Sequence, residues 1–504
     1  MKILLVQPSP FEPGRLGLEN VLWLSEPVAL TSLAGMVPEH EVRILDMRLE
    51  PEGVLNQVLL EFRPDLVGTT AMTTDCYQSK AVLAIAKGTL GDACFTIVGG
   101  HHPTMAAGDY EEREVDAVCV GEGEETFQEL VKHLSGGGSP RKLHHVRGLR
   151  FKDENGTWVT TVKRPQVREL DTFPAPARHL IPARYRQQYF FAIASPMASI
   201  FTSRGCSFDC NFCAIWEFYE RRTRYMSAKV ICDRLEQIDE DFVFFLDDNF
   251  LTNKKRLEQL CDEIEKRGIR KYYGTQGRTD FIADNPELMR RLRDAGLSMV
   301  LSGYESNDDD ALAALQKSST REKNQKAAEV LRSLGILSTG IFMVRPDFEE
   351  KDFDALWATI NEMGVGIPLV TILTPLPGTQ LYHQRKDELL TRDVRLFDLL
   401  HAVLPTRLPR KRFYEKYTEW NEKTWGGVWR GIWPVLYKRP RLAAKSIPGA
   451  IRWIQKSRWY TPVLQSPESH LRDEIGIIPV DVVAAPKKAP APAPEVELLK
   501  EVGS

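Results

Sequence analysis

The sequence predicts an α/β protein in two successive parts, followed by a helical C-terminal region. Short apolar runs recur along residues 1–140 and again along residues 196–385, each followed by a turn and then an amphipathic helical stretch. That alternation is the pattern of parallel strands joined by crossover helices. From residue 386 the strand-like runs stop and the pattern is helical to about residue 470. A chain of 504 residues is also too long for one ordinary core, so two or three domains are expected.

The first series has its apolar runs at 3–6, 42–45, 66–69, 95–98 and 117–120. It predicts a doubly wound, Rossmann-like parallel sheet, and ligands of such sheets lie at the carboxyl ends of the strands. The loops there are Pro8-Ser9-Pro10, Thr69-Thr70-Ala71-Met72-Thr73-Thr74, Gly99-Gly100-His101-His102-Pro103-Thr104 and Gly121-Glu122-Gly123-Glu124. Their small and hydroxyl residues let the backbone approach a bulky planar ligand. They do not spell the G-x-G-x-x-G of a dinucleotide site. Residues 141–195 read as a linker with a small hairpin, in which Asp153-Glu154-Asn155-Gly156 supplies the tight turn.

The second series has strand candidates at 242–246, 271–275, 299–302, 338–344 and 370–373, with helical stretches such as 254–266, 285–295 and 321–334 between them. With one more strand leading into a cysteine-rich loop, this makes about six βα units. In (β/α) barrels the active residues come from the carboxyl ends of the strands.

Composition narrows the function classes. A net charge of −3 argues against bulk nucleic-acid affinity. No run of about 18 apolar residues occurs, so no membrane span is expected. The apolar N-terminal run soon meets Pro8, Ser9 and Pro10 and lacks the length and cleavage site of a signal peptide. Eight cysteines in a chain of this length do not make a disulfide framework.

Three of those cysteines, Cys206, Cys210 and Cys213, fall within eight residues as C-x₃-C-x₂-C. Three thiolates on one loop can hold three irons of a cubane cluster and leave the fourth open to bind and reduce something. Electron carriers close their clusters with four thiolates. A structural zinc site also wants four ligands, and no histidine occurs between His179 and His383. An iron–sulfur cluster on these three cysteines would require a reducing, cytoplasmic setting.

This loop, with Phe212 before its third cysteine, resembles the cluster loop of the radical SAM superfamily. The second series then resembles that family's partial (β/α)6 TIM-like barrel, at 196–385. The run Val98-Gly99-Gly100-His101-His102-Pro103-Thr104, with Gly121-Glu122-Gly123-Glu124 downstream, resembles the cobalamin-binding domain that precedes many such barrels, at 1–140. The D-x-H-x-x-G motif that supplies a lower cobalt ligand in some cobalamin enzymes is absent, so that ligand is left open.

The resemblance covers nearly the whole chain up to about residue 465. It implies a [4Fe-4S] cluster on Cys206, Cys210 and Cys213, and S-adenosylmethionine (SAM) on the open iron. Among Asp247, Asp248 and Asn249 one group would pair with the SAM ammonium. Arg278 suits the SAM carboxylate, and Glu305 lies where the family uses a glutamate near the ribose. Cobalamin would be held by Thr69, Thr70, Thr73, Gly99, Gly100, His101, His102, Gly121, Glu122 and Gly123. The wording of Thr391-Arg392-Asp393, Arg395 to Asp398, His401 to Pro409 and Trp216-Glu217-Phe218-Tyr219 is closest to the hopanoid C-3 methylase branch.

The implied reaction is radical methylation of an unactivated carbon of a hopanoid or other polycyclic lipid. One SAM methylates reduced cobalamin, and a second is cleaved at the cluster to the deoxyadenosyl radical that removes hydrogen from substrate. An electron donor such as ferredoxin or flavodoxin is implied. Two alternatives stay open: a cobalamin-binding radical SAM enzyme that forms rings on a lipid or tetrapyrrole, and a non-catalytic cobalamin or cluster sensor.

Residues 386–470 read as a helical domain rich in Trp, Tyr, Lys and Arg, with Trp425, Trp429 and Trp433 on one helix face. That face either packs on the barrel or meets a membrane surface peripherally, where aromatic rings and cations sit at headgroup level. Aromatic stacking on nucleic acid is disfavoured by the balanced total charge. Residues 471–504, rich in Pro and Ala from 484, read as a disordered tail.

Overall fold

A computed structural model describes residues 1–9, 22–306, 308–464 and 466–478, without the side chains of 421, 425 and 456–464. Pro10, the side chains of Trp425, Trp459 and Tyr460, and residues 479–504 therefore lie outside the described residues, whereas 471–478 of the expected disordered tail are ordered, with Glu474 paired to Arg410 and Ile478 buried.

Seventeen strands are described: β1 (Lys2–Gln7), β2 (Trp23–Leu24), β3 (Glu41–Asp46), β4 (Leu66–Thr70), β5 (Phe95–Gly99), β6 (Ala117–Cys119), β7 (Leu149–Lys152), β8 (Trp158–Thr160), β9 (Phe190–Phe191), β10 (Met197–Ile200), β11 (Ser203–Arg204), β12 (Arg224–Tyr225), β13 (Phe242–Phe245), β14 (Tyr272–Gln276), β15 (Leu297–Glu305), β16 (Leu337–Val344) and β17 (Ile367–Ile372). The first sheet has the order β3-β1-β4-β5-β6-β7-β8. Its first five strands are parallel and doubly wound, because β1 pairs with β3 on one side and β4 on the other. The order reverses beside β1, and the crevice at such a reversal is where ligands of this architecture sit. Leu4, Val6 and Val67 pack on one face of the sheet and Ile3, Leu5 and Leu66 on the other, so helices cover both.

The hairpin read as part of a linker is the antiparallel edge of this sheet. β7 pairs with β6 from Leu149 to Phe151, and β8 closes the edge. Phe151 and Leu149 are fully buried there, and that apolar pair is what carries the hairpin onto the sheet.

The second sheet runs β10-β13-β14-β15-β16-β17 in chain order, all parallel, as an open six-stranded barrel. Val243 and Phe245 point to the outer helices, while Phe242 and Phe244 point inward with Met299, Leu337 and Ile367. Val435 and Leu442 of the C-terminal helices join that inner cluster, so the C-terminal region closes the barrel at the amino end of its strands.

The C-terminal region departs from the expected continuous helical pattern. Apart from single turns at Lys386–Glu388 and Val394–Leu396, residues 386–409 are irregular, and helices resume at Arg410–Thr418, Trp420–Lys438, Pro440–Leu464 and Pro467–Glu474. Pro405 and Pro409 interrupt any helix, and Thr391, Asp393 and Asp398 bond local backbone N–H groups as turns do. The irregular stretch crosses to the first domain, where Val394 is buried in its core.

The tryptophan face is not the packing face. Gly427 and Gly431 lie against Asn361 and Gly366 so closely that a side chain would overlap them. Trp429 and Trp433 are 58% and 61% exposed on the other side. Among the described residues no helix is long and apolar enough to cross a membrane.

Candidate active site

The cysteine loop leaves β11 through Gly205, whose φ of +88° excludes most residues. A side chain there would also overlap the Arg222 carbonyl oxygen. Asp247 braces the approach. Its two oxygens accept from the backbone N–H groups of Thr202 (2.6 Å) and Ser203 (2.9 Å) and from both hydroxyls. Asp248 accepts from the Gly205 N–H at 2.8 Å. Burial pushes its carboxyl up to about 6. Asn211 ties the loop to the rest of the barrel mouth, with Nδ2 donating to the Ala314 carbonyl (2.8 Å), its N–H to that of Leu315 and its own carbonyl accepting from Leu381.

None of the eight cysteines is in a disulfide. Cys210 is buried, while Cys206 and Cys213 are partly buried. Burial pushes the Cys213 thiol up to about 12 and raises that of Cys210 as well. Thiols held this way become thiolates when a metal centre compensates the charge. Two N–H donors already point at the sulfurs: Asn249 Nδ2 lies 3.9 Å from Cys206 Sγ, and Arg278 Nη1 lies 3.8 Å from Cys210 Sγ. Asn249 Oδ1 is buried without a partner in the same place. The loop therefore fits a multi-iron group on one side and leaves polar atoms for a ligand on the other.

Two of the expected SAM-binding residues are committed to the scaffold. Asp247 is saturated by the loop, so Asp248 and Asn249 are the members of that trio that face the cysteines. Arg278 stacks on Phe208 at 3.6 Å and turns its fork to Asp280 and to the Lys317 and Ser318 carbonyls. It holds the cysteine loop to the next loop and has no bidentate face left for a carboxylate.

A second cation at this end is Lys317, for which the sequence carries no motif. It is 7% exposed, and Nζ donates to Glu305 Oε1 at 2.7 Å. Burial opposes its charge, but Glu305 and Cys210 outweigh that and hold the ammonium above its ordinary value. Gln316, Ser318 and Glu305 all have positive φ, of 53°, 53° and 58°. Such non-glycine conformations are costly and cluster at functional sites. A side chain at Gly303 would displace the paired ends of Glu305 and Lys317. The available signal was a lysine following a helix that begins soon after the strand bearing Glu305.

In the first domain the predicted residues divide. Thr69 is buried and donates to the Val6 carbonyl, and Gly100 is needed because a side chain would meet Thr70 Oγ1 at 2.6 Å. Thr73 is buried in a turn, and His102 is buried with Nε2 3.2 Å from Asp109. Thr70, Gly99, Gly121, Gly123 and His101 remain partly exposed at the strand ends. His101 is the distinctive one. Its ring stacks on Phe218 at 5.4 Å, its Nε2 is buried without a partner, and burial lowers its imidazole to about 4, so it is neutral. An unpartnered neutral imidazole at the crevice fits a ligand with a polar rim or a metal centre.

Glu122 is engaged in ion pairs. It pairs with Arg204 and Arg224, while Glu124 also pairs with Arg204. Arg204 and Arg224 lie on β11 and β12, the hairpin that carries the cysteine loop, so this buried network locks the two domains together. Met105 packs against Gly378 in the last barrel loop, and Phe218 meets His101. The carboxyl ends of both sheets therefore face one another.

Residues 14–131 match the B12 binding domain family, and residues 200–358 match the Radical SAM superfamily. Hopanoid C-3 methylase of Methylococcus capsulatus is 33% identical over 422 residues, covering 82% of this chain and 78% of that protein. Bacteriochlorophyllide d C-8(2)-methyltransferase of Chlorobaculum tepidum is 30% identical over 395 residues, covering 74% and 79%. The solved cobalamin-dependent S-adenosylmethionine radical enzyme OxsB, with aqua-cobalamin and S-adenosylmethionine bound, has a TM-score of 0.66 over 94% of this chain and 74% of that chain, at 16% identity, a likeness of fold.

Two facing sheets, one of them opening on three cysteines, thus define a radical SAM enzyme with a B12-binding domain. The chain belongs to the cobalamin-dependent radical SAM methyltransferase family, whose cofactors are cobalamin, SAM and a [4Fe-4S] cluster.

Proposed function

We propose that this enzyme places a methyl group on an unactivated carbon of a hopanoid or a related polycyclic lipid. The observation that carries this reading is the 33% identity to hopanoid C-3 methylase across both cofactor domains and beyond. A second support is the position of the stretch most like that branch. Residues 394–396 lie on the Thr73–Asp75 turn of the first domain, with Arg395 over the Tyr77 ring at 5.6 Å. This stretch borders the cleft between the sheets, where a substrate-selecting element belongs.

Cobalamin, the cluster and SAM supply the methyl group and the radical chemistry. The chain's residues supply position. Cys206, Cys210 and Cys213 are assigned as the cluster ligands, and Asn249 with Arg278 as donors to their sulfurs. Lys317, balanced by Glu305, is assigned to the SAM carboxylate in place of Arg278, and Asp248 or Asn249 to the ammonium. His101, Thr70, Gly99 and Gly121 are assigned to the cobalamin edge. A small reducing protein, a ferredoxin or flavodoxin, is the proposed electron source.

The test is anaerobic. The enzyme is reconstituted with iron, sulfide and cobalamin, then given SAM, a strong reductant and a hopanoid. The expected result is 5′-deoxyadenosine together with a product heavier by one methyl in place of hydrogen, both lost in Cys210→Ala. Deoxyadenosine with a product that only loses hydrogen would replace this reading by ring formation. No deoxyadenosine from a fully loaded enzyme would favour a sensor.

A further inference from the structure

We propose that the C-terminal helix pair is a docking surface for an anionic lipid bilayer, on the side of the molecule opposite the cofactor cleft. The helices Trp420–Lys438 and Pro440–Leu464 run across the amino ends of the barrel strands. Arg439 bonds the Leu297 carbonyl at the start of β15, Lys445 pairs with Asp241 just before β13, and Gly449 packs on Ile193 ahead of β10. The cysteines and SAM-facing residues sit at the other ends of those strands.

The outward face is apolar and aromatic. Trp429, Trp433 and Tyr437 are 58%, 61% and 56% exposed, on one stripe of the first helix. Ile447, Ile451 and Ile454 are 56%, 53% and 50% exposed, on one stripe of the second. Packing does not account for them, because the barrel is met through Gly427, Gly431, Val435 and Leu442 instead. An exposed apolar patch of this kind marks an interaction surface.

Charge selects the partner. Residues 420–464 carry nine Lys or Arg and one Glu; Lys423 pairs with Glu419 and Asp354 and Lys445 with Asp241, and the segment stays basic in a chain whose total is −3. Arg430, Lys438 and Arg441 are exposed around the apolar stripe. Tryptophan and tyrosine rings at headgroup depth, isoleucines below them and a basic surround are the features of an interfacial helix on anionic lipid. A second copy of this chain would bring like charge against like charge. The inference is independent of the substrate proposed above.

The experiment is vesicle flotation of the full-length holoenzyme. Vesicles of phosphatidylglycerol with phosphatidylcholine are expected to carry the protein, and high salt or pure phosphatidylcholine to release it. The combined Trp429→Ser, Trp433→Ser and Tyr437→Ser variant is expected to lower the partition coefficient at least about tenfold, with cofactor absorbance unchanged. Brominated phosphatidylglycerol is expected to quench the tryptophan emission of the unmodified enzyme, a readout that needs no variant. Failure of the enzyme to float or be quenched would overturn the proposal. So would a variant that floats equally well, or a face shown by light scattering to be covered in a dimer or by nucleic acid.

Discussion

Glu122 and Arg224 form a buried bidentate pair across the two domains. Arg224 Nη1 lies 2.9 Å from Glu122 Oε2, and Nη2 lies 2.8 Å from Oε1. Glu122 also accepts from Arg204 at 2.9 Å. The loop that leaves β6 in the cobalamin-binding domain is thereby fastened to the hairpin that feeds the cluster loop.

Glu122→Ala would leave two arginines buried without it, a change that costs about 3 kcal/mol. Urea unfolding should show this loss together with weaker cobalamin retention on gel filtration. The pair also has a pH signature. Burial raises the Glu122 carboxyl, but Arg224 and Arg204 outweigh it and hold the group below its ordinary value. Its contribution is therefore present above the ordinary glutamate value and lost as pH falls through the depressed one.

Gly205→Ala should fold yet load poorly with iron. The positive φ and the Arg222 carbonyl leave no room for a methyl group, so the loop must shift exactly where its first thiol begins. Iron and sulfide content after reconstitution is expected to fall by more than about half, with far-UV circular dichroism unchanged.

Lys317→Met removes the buried ammonium that faces Glu305 and Cys210. SAM binding to the cluster-loaded enzyme should weaken about 30-fold, equivalent to about 2 kcal/mol. Lys317→Arg should recover part of the affinity. An unchanged SAM dissociation constant in Lys317→Met would return the carboxylate to Arg278.

His401 makes C-terminal stability depend on pH in the opposite sense. Burial works against its charge, but Asp398, 2.8 Å away, raises it above the ordinary histidine value. The pair stabilises fully below the ordinary histidine value and weakens as pH rises through the raised one. The melting temperature should fall across that window in the natural protein. His401→Gln should flatten the dependence.

Much of this architecture is legible in local patterns. The apolar runs 66–69, 95–98 and 117–120 read as strands because each is short, apolar and followed by glycine or hydroxyl residues, and strands lie there in the structure. The cysteine spacing likewise announces its loop, since the chelating geometry lies within one segment. The cluster and SAM were legible through the resemblance of that loop to a known family, and cobalamin through the order and spacing of several strand-end loops.

The groups that engage several of the expected site residues come from distant segments, which local patterns do not reveal. Glu122 looked like a ligand residue because an acidic loop after a strand resembles a binding loop, and Arg204 and Arg224 lie some eighty to a hundred positions away. Asp247 and Arg278 sit at the expected strand ends, but backbone groups of neighbouring loops absorb their hydrogen-bonding capacity. Lys317 carries no motif, and its buried position against Glu305 goes with the positive φ of the two residues that flank it. The tryptophan stripe was periodic, and periodicity alone cannot say which face of a helix is covered.

The amino-acid sequence by itself determined the strand and helix alternation and the cysteine loop, because these follow from short-range spacing and side-chain chemistry, and its resemblance to a known family carried the cofactor class. Only the tertiary structure decided which polar groups remain free for a ligand and which face of the C-terminal helices is left to solvent. Those outcomes depend on burial and on the saturation of hydrogen bonds by residues far apart in the chain, and both exist only once the two sheets and the helix pair have come together.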